Sequence, residues 1–303
     1  MTDYEVLRSY KNQPWVTTNG EPVRGEVKRN QFKEWFLATN ATPYARSSGH
    51  SKLLDDQSNL IDWAACQAAV GVIRSESARS DLYSLMNEFK GDPWNSAGKG
   101  RLKDAVWRAR QAAGSETASS AGTEFHKYAE IVNGGGVPEF VAPQMRGLLD
   151  TYRAGVAGLE FLGAELFVVQ DELQLAGSSD FVVRLPENCK LTRFDGTVED
   201  VSGRVVIGDL KTGKHDPNYP LSPTVQISVY SHSVQYSQKT GERWPIHPDL
   251  DPTVGLLVHF PILTESPRVG LYPLDLSFGW GAAQVAAEVK GVRKIPKLKE
   301  LSA

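Results

Sequence analysis

The chain has 303 residues, 41% hydrophobic and 23% charged, with a net charge of −3. That is a globular balance with no global basic field, so any nucleic-acid surface must be local. Its two cysteines, Cys66 and Cys189, lie outside any CxxC pair and support neither a disulfide scaffold nor a zinc ribbon. With no apolar leader and no long apolar run, the expectation is a cytoplasmic protein that does not meet a membrane.

The first third reads as helix-dominated. Ile61, Ala64, Ala65, Ala68 and Val72 recur at helical spacing, as do Leu102, Ala105, Val106, Ala109 and Ala113. Gly91-Asp-Pro-Trp94 breaks the pattern between them. Gly114 to Ser120 is small and polar, which predicts a loop before the helix carrying Phe125 and His126. Gly134-Gly-Gly136 stops that helix, and Met145, Leu148, Leu149, Tyr152 and Val156 mark another.

Near residue 160 the pattern changes to strands. Ala164 to Val169 is one, Gln170 to Glu172 a turn, and Leu173 to Ala176 and Asp180 to Leu185 two more, separated by Gly177. Residues 186–203 look like a hairpin tip, and Arg204 to Leu210 like a buried strand. Thr224 to Val234 is ambiguous: its Val and Ile favour a strand, whereas a helix would put Gln226 and Tyr230 on one face. Val254 to Phe260 and Arg268 to Leu274 read as a strand pair, and Phe278 to Val289 as a closing helix. This order predicts an α/β core with an N-terminal helical cap.

The chemistry concentrates in Asp209-Leu-Lys211. Side chains two apart on a strand share a face, and charge at the end of a buried apolar strand is costly without a function. Asp209 can ligate a divalent cation while Lys211 steadies a phosphate oxygen or the attacking water. Asp180 begins an apolar strand that, paired with the Asp209 strand, brings two carboxylates together. They repel unless a cation lies between them. Oxygen ligands suit Mg²⁺ or Mn²⁺, and the His126 imidazole tilts the choice toward Mn²⁺.

Gly122-Thr-Glu-Phe-His126, Gly177-Ser-Ser-Asp180, Asp209-Leu-Lys-Thr-Gly213 and Gln226-Ile-Ser-Val-Tyr230 together resemble the motifs of the RecB-like exonucleases. These are a branch of the PD-(D/E)XK nuclease superfamily with many phage members. The resemblance implies a restriction-endonuclease-like core over 119–303, a mixed central sheet flanked by helices, with residues 1–118 as a helical region capping the active site. It implies that His126, Asp180, Asp209 and the Leu210 main-chain carbonyl bind metal. Lys211 would be catalytic, and Gln226 and Tyr230 would line the site. Two cysteines rule out the four-cysteine iron–sulfur cluster of many relatives.

The expected function is therefore metal-dependent hydrolysis of DNA from single-stranded ends, in recombination, repair or phage replication, with recombination proteins as conceivable partners. The rivals are an endonuclease or structure-specific nuclease on the same fold, and a non-cleaving DNA-end-binding recombination partner.

Other features have plainer readings. Glu130 and Glu165 read as structural or solvated. Lys99, Arg101, Lys103, Arg108 and Arg110 read as a solvated helix surface, with phosphate contact as the alternative. Trp94 and Trp107 read as core, with base stacking as the alternative. Gly208, Gly213 and Lys214 mimic a phosphate loop, but His215 stands where the Ser or Thr should be.

Overall fold

A computed structural model describes residues 6–30, 33–213, 219–296 and 298, the side chains of 116–119 excepted. Its N-terminal stretch departs from the helical expectation. The short strands β1 (Trp15–Val16), β2 (Gly25–Arg29), β3 (Glu34–Ala38), β4 (Thr42–Pro43) and β5 (Ala45–Arg46) precede a one-turn helix α1 (Ser47–His50). Strand β1 pairs with β4 and β2 with β3, both antiparallel. The Trp, Phe and Val that seed these strands are good strand formers, but the runs are too short for a periodicity to stand out.

The chain divides into two compact units, Met1–Asp55 with His126–Ala303, and Asp56–Phe125. The expected boundary at residue 118 thus moves, and the first 55 residues belong with the sheet. The smaller unit holds α2 (Ser58–Arg74), α3 (Glu76–Glu88), α4 (Ser96–Ala112) and the start of α5 (Ser115–Asn133). Ser75 caps α3 by accepting from the Ala78 N–H, and Asn95 caps α4 by accepting from the Ala97 and Gly98 N–H groups. Helices α2 and α4 touch at Gly71, where an added Cβ would meet the Ala109 carbonyl. Ile61, expected on the apolar face, is exposed instead.

Residues 115–120, expected as a loop, are already helical. Gly114, at φ +91°, ends one helix and the next begins at once. A small polar composition can open a helix as readily as fill a loop.

The larger unit continues with α6 (Pro143–Val156), β6 (Glu160–Gln170), β7 (Leu175–Arg184), the hairpin β8 (Lys190–Thr192) and β9 (Val198–Asp200), and β10 (Val205–Lys211). Then come α7 (Leu221–Ser231), β11 (Val234–Tyr236), β12 (Arg243–Trp244), β13 (Leu250–His259), β14 (Gly270–Asp275) and α8 (Leu276–Val292). The ambiguous segment is therefore helix first and strand after. The two strands expected on either side of Gly177 are one continuous strand, β7, while Leu173 and Gln174 lie in the preceding turn.

The result is a mixed α/β fold with a central mixed sheet flanked by helices. Strand order is β12-β11-β6-β7-β10-β13-β14, with β5 also on β7. Pairings are antiparallel except β10 with β13 and β5 with β7. Val168, Val182, Ile207 and Leu257 from the sheet pack with Ile227 of α7 in one hydrophobic core cluster. Each such fully buried side chain stabilises the fold by about 1.5–3 kcal/mol. Gly279 of α8 approaches so closely that an added Cβ would lie 2.1 Å from Ser228 Oγ of α7.

One detail of pairing positions the site. Along one edge of β7, β10 pairs with Phe181–Arg184, while β5 pairs with Leu175 and Ala176. The two leave Gly177 to Asp180 without a ladder partner on that side, so the sheet opens into a notch. No helix among the described residues is long and apolar enough to cross a membrane.

Candidate active site

The notch is a cleft of about 390 Å³. His126, Asp180, Asp209, Leu210, Lys211, Gln226 and Tyr230 all line it, so the residues expected at the site reach one place. The register explains the meeting of the acids. Gly208 stands opposite Phe181, and the next step puts Asp209 opposite Asp180 as the ladder ends. Gly208 has a reason of its own, since a Cβ there would lie 2.1 Å from Phe181 Cε2.

Asp180 Oδ2 accepts from the Leu210 N–H at 2.7 Å and lies 3.6 Å from His126 Nδ1. Asp209 Oδ1 accepts from Gln226 Nε2 at 3.0 Å, and the same amide reaches Tyr230 Oη at 3.0 Å. Helical spacing places Gln226 and Tyr230 one turn apart, which makes this relay possible. Asp209 Oδ2 is buried and is met by the Lys211 ammonium at 2.5 Å as an ion pair. Lys211 Nζ also lies 3.5 Å from Gln226 Oε1. Gly177 leaves room for Tyr230, because a Cβ there would stand 2.8 Å from Tyr230 Oη.

The charges are strongly coupled. Burial first, and Asp209 second, push the Asp180 carboxyl well above the ordinary carboxylate range. Burial pulls the Lys211 ammonium down, but Asp209 and Asp180 outweigh it and hold it protonated. Burial lowers His126, Asp209 opposes that and Lys211 adds to it, so the imidazole is held toward its neutral, ligating form. Burial above all raises the Tyr230 phenol, which stays protonated.

The sequence reading missed Arg8, Arg46 and Ser48, which line the same cleft. Burial and then Arg46 hold the Arg8 guanidinium below its ordinary value, so two like charges share the space. Their elements are short irregular pieces of an N-terminal stretch read as helical, and no local pattern marked them. Glu165, read as structural or solvated, sits in β6 at φ +49°, at the position that faces Asp180 in the β6–β7 register. Burial, then Glu130, then Asp209 push its carboxyl up to about 7.

Two of the cations read as a solvated helix surface are on the surface. Arg101 pairs with Glu88 and Arg108 with Asp81, as surface ion pairs. Trp94 and Trp107 are 69% and 54% exposed, so neither belongs to the core. Gly208 of the supposed phosphate loop is a buried strand residue, while Lys214 and His215 lie outside the described residues.

Among the described residues no group of three or more His, Cys, Asp and Glu side chains is arranged to hold a metal ion as it stands. The residues fit a divalent cation by chemistry rather than as a closed cage. Two buried carboxyls, Asp180 and Asp209, face one another with a single ammonium, Lys211, on Asp209, and Asp180 is pushed toward protonation by burial first and by Asp209 second; a bound cation would relieve both. No protein-family model matches the chain, and no curated protein gives a significant match to it.

Proposed function

We propose that this chain is a metal-dependent DNA exonuclease on a PD-(D/E)XK core of the RecB-like type. The observation that carries the reading is the meeting of Asp180, Asp209, His126 and Lys211 in one cleft at the open end of the β7–β10 ladder. Arg8 and Arg46 support it, since paired guanidiniums opposite an acidic cluster suit a phosphodiester approaching a cation site.

Asp180, Asp209 and His126 would hold Mg²⁺ or Mn²⁺, which when bound supplies charge neutralisation at the phosphate and acidifies water. The Leu210 carbonyl is the further ligand that the family resemblance implies. In a strand a residue's N–H and C=O point to the same edge, and the Leu210 N–H points to Asp180. Lys211, kept protonated, donates to a phosphate oxygen or orients the incoming water. Gln226 and Tyr230 hold Asp209 in place, and Arg8 and Arg46 bind phosphate oxygens. Hydrolysis puts the water's hydroxyl on phosphorus and its second proton on the departing 3′-oxygen.

Digestion of end-labelled single- and double-stranded DNA with Mn²⁺, Mg²⁺ or chelator tests this. Metal-dependent release of nucleotides from linear single strands, with circular ones spared, is the expected result. Cutting of circles would instead indicate an endonuclease. Lys211→Ala should abolish cleavage and spare DNA binding; full activity in that variant refutes the mechanism.

A further inference from the structure

A second groove, of about 590 Å³, adjoins the cleft, and the two share Ser178 in their walls. Leu7, Leu166, Phe167, Tyr236 and Trp244 make its surface largely apolar. Its volume suits a small organic group. Glu165 lies in its wall and is close enough to Asp209 for their charges to interact, so the groove runs up to the acidic centre.

The lining indicates what enters. Glu165 and Glu130 line it together with Lys239, and the Glu165 carboxyl, as an acceptor or as a donor when protonated, suits the polar edge of a heterocycle. Trp244 is 41% exposed and stacks on no other aromatic ring among the described residues. Its backbone is held in place by the β11–β12 pairing, which sets it opposite Gln235. The Gln235 amide N–H groups are engaged by the Pro245 and Ile246 carbonyls, and both ends of the Gln238 amide by the main chain of Leu7 and Trp15, so they shape the wall.

We propose that this groove receives the nucleobase adjoining the phosphate that Lys211 engages, with Trp244 as its stacking face. The inference rests on the hydrolytic reading above and deepens it. Only an unpaired base can enter without the cost of leaving a duplex stack, so the groove would select single strands.

The test uses the full chain and short labelled single strands, intact or abasic throughout, with affinity read by fluorescence anisotropy in chelator. The intact strand should bind more tightly. Trp244→Ala should weaken binding to it by about tenfold or more, the range of base–aromatic stacking, and leave the abasic strand unchanged. Trp244→Phe should restore most of the loss, which separates stacking from misfolding. Equal affinity of the unaltered protein for intact and abasic strands overturns the proposal, as does a Trp244→Ala variant that binds the intact strand normally. Cleavage with Mn²⁺ is scored separately. Cleavage without base preference removes the groove's role and keeps hydrolysis; base preference without cleavage does the reverse.

Discussion

Gly177→Ala is the most direct physical test of the site's construction. The new Cβ would stand 2.8 Å from Tyr230 Oη, 2.9 Å from Cε1 and 3.2 Å from Cζ. Neither partner yields easily. Gly177 sits in a strand paired with Val168, and Tyr230 is 3% exposed and bonded to Gln226. Replacing Gly by Ala stiffens the unfolded chain, worth about 0.4–1 kcal/mol in favour of folding. Overpacking a rigid core costs about 1–3 kcal/mol, and with neither partner yielding the upper part of that range applies, about 2–3 kcal/mol, which leaves a net loss of about 1–2.6 kcal/mol. At about 2–4 °C per kcal/mol, the unfolding midpoint of the larger unit should fall by roughly 2–10 °C. Cleavage should fall further, by about 10²-fold, because a shifted Tyr230 releases Gln226 from Asp209. Tyr230→Phe removes the nearest clashing atom, so the double variant should lose less stability than the two single losses added. A Gly177→Ala protein with an unchanged midpoint and an unchanged rate would refute the packing argument.

Gln226→Ala takes one hydrogen bond from Asp209 Oδ1 and one from Tyr230 Oη. Mn²⁺ titration of activity should show a loss of about 10–100-fold in apparent metal affinity; an unchanged titration would leave Gln226 no positioning role. Arg46→Ala removes a cation that lines the cleft, so the slope of log affinity against log salt for single strands should shrink by about 0.7. An unchanged slope would mean Arg46 meets no phosphate. Glu165 supplies a pH signature in metal-free protein. Its folded carboxyl titrates near 7, above the ordinary value, so the folded state binds the extra proton between about 4.5 and 7. Stability should therefore decline as pH rises through that window. Glu165→Gln should flatten part of the decline, while Asp180, raised in the same direction, keeps the rest. Identical pH slopes in the two proteins would exclude the effect.

The chain's local chemistry determined a good deal by itself. The apolar runs of β6, β10 and β13 follow from strand composition, and the closing helix α8 from helical spacing. Asp209 and Lys211 stood out because charge at the end of an apolar run is costly without a purpose, whereas His126, Asp180, Gln226 and Tyr230 were marked mainly by the resemblance of their segments to nuclease motifs. Tertiary structure decided the rest. It settled α7 as a helix, because its two faces pack on α8 and the sheet; nine of its residues are buried, and strand-like composition yields to that. It ran β7 straight through Gly177, where β6 pairs along the whole length. It brought Arg46 to the cleft through a parallel pairing that joins residues more than a hundred positions apart, and it set Glu165 opposite Asp180 through the β6–β7 register. Side-chain type and spacing act over a few residues and can be read from the chain. Which edges pair, and what stands opposite what, depends on burial summed over the whole sheet.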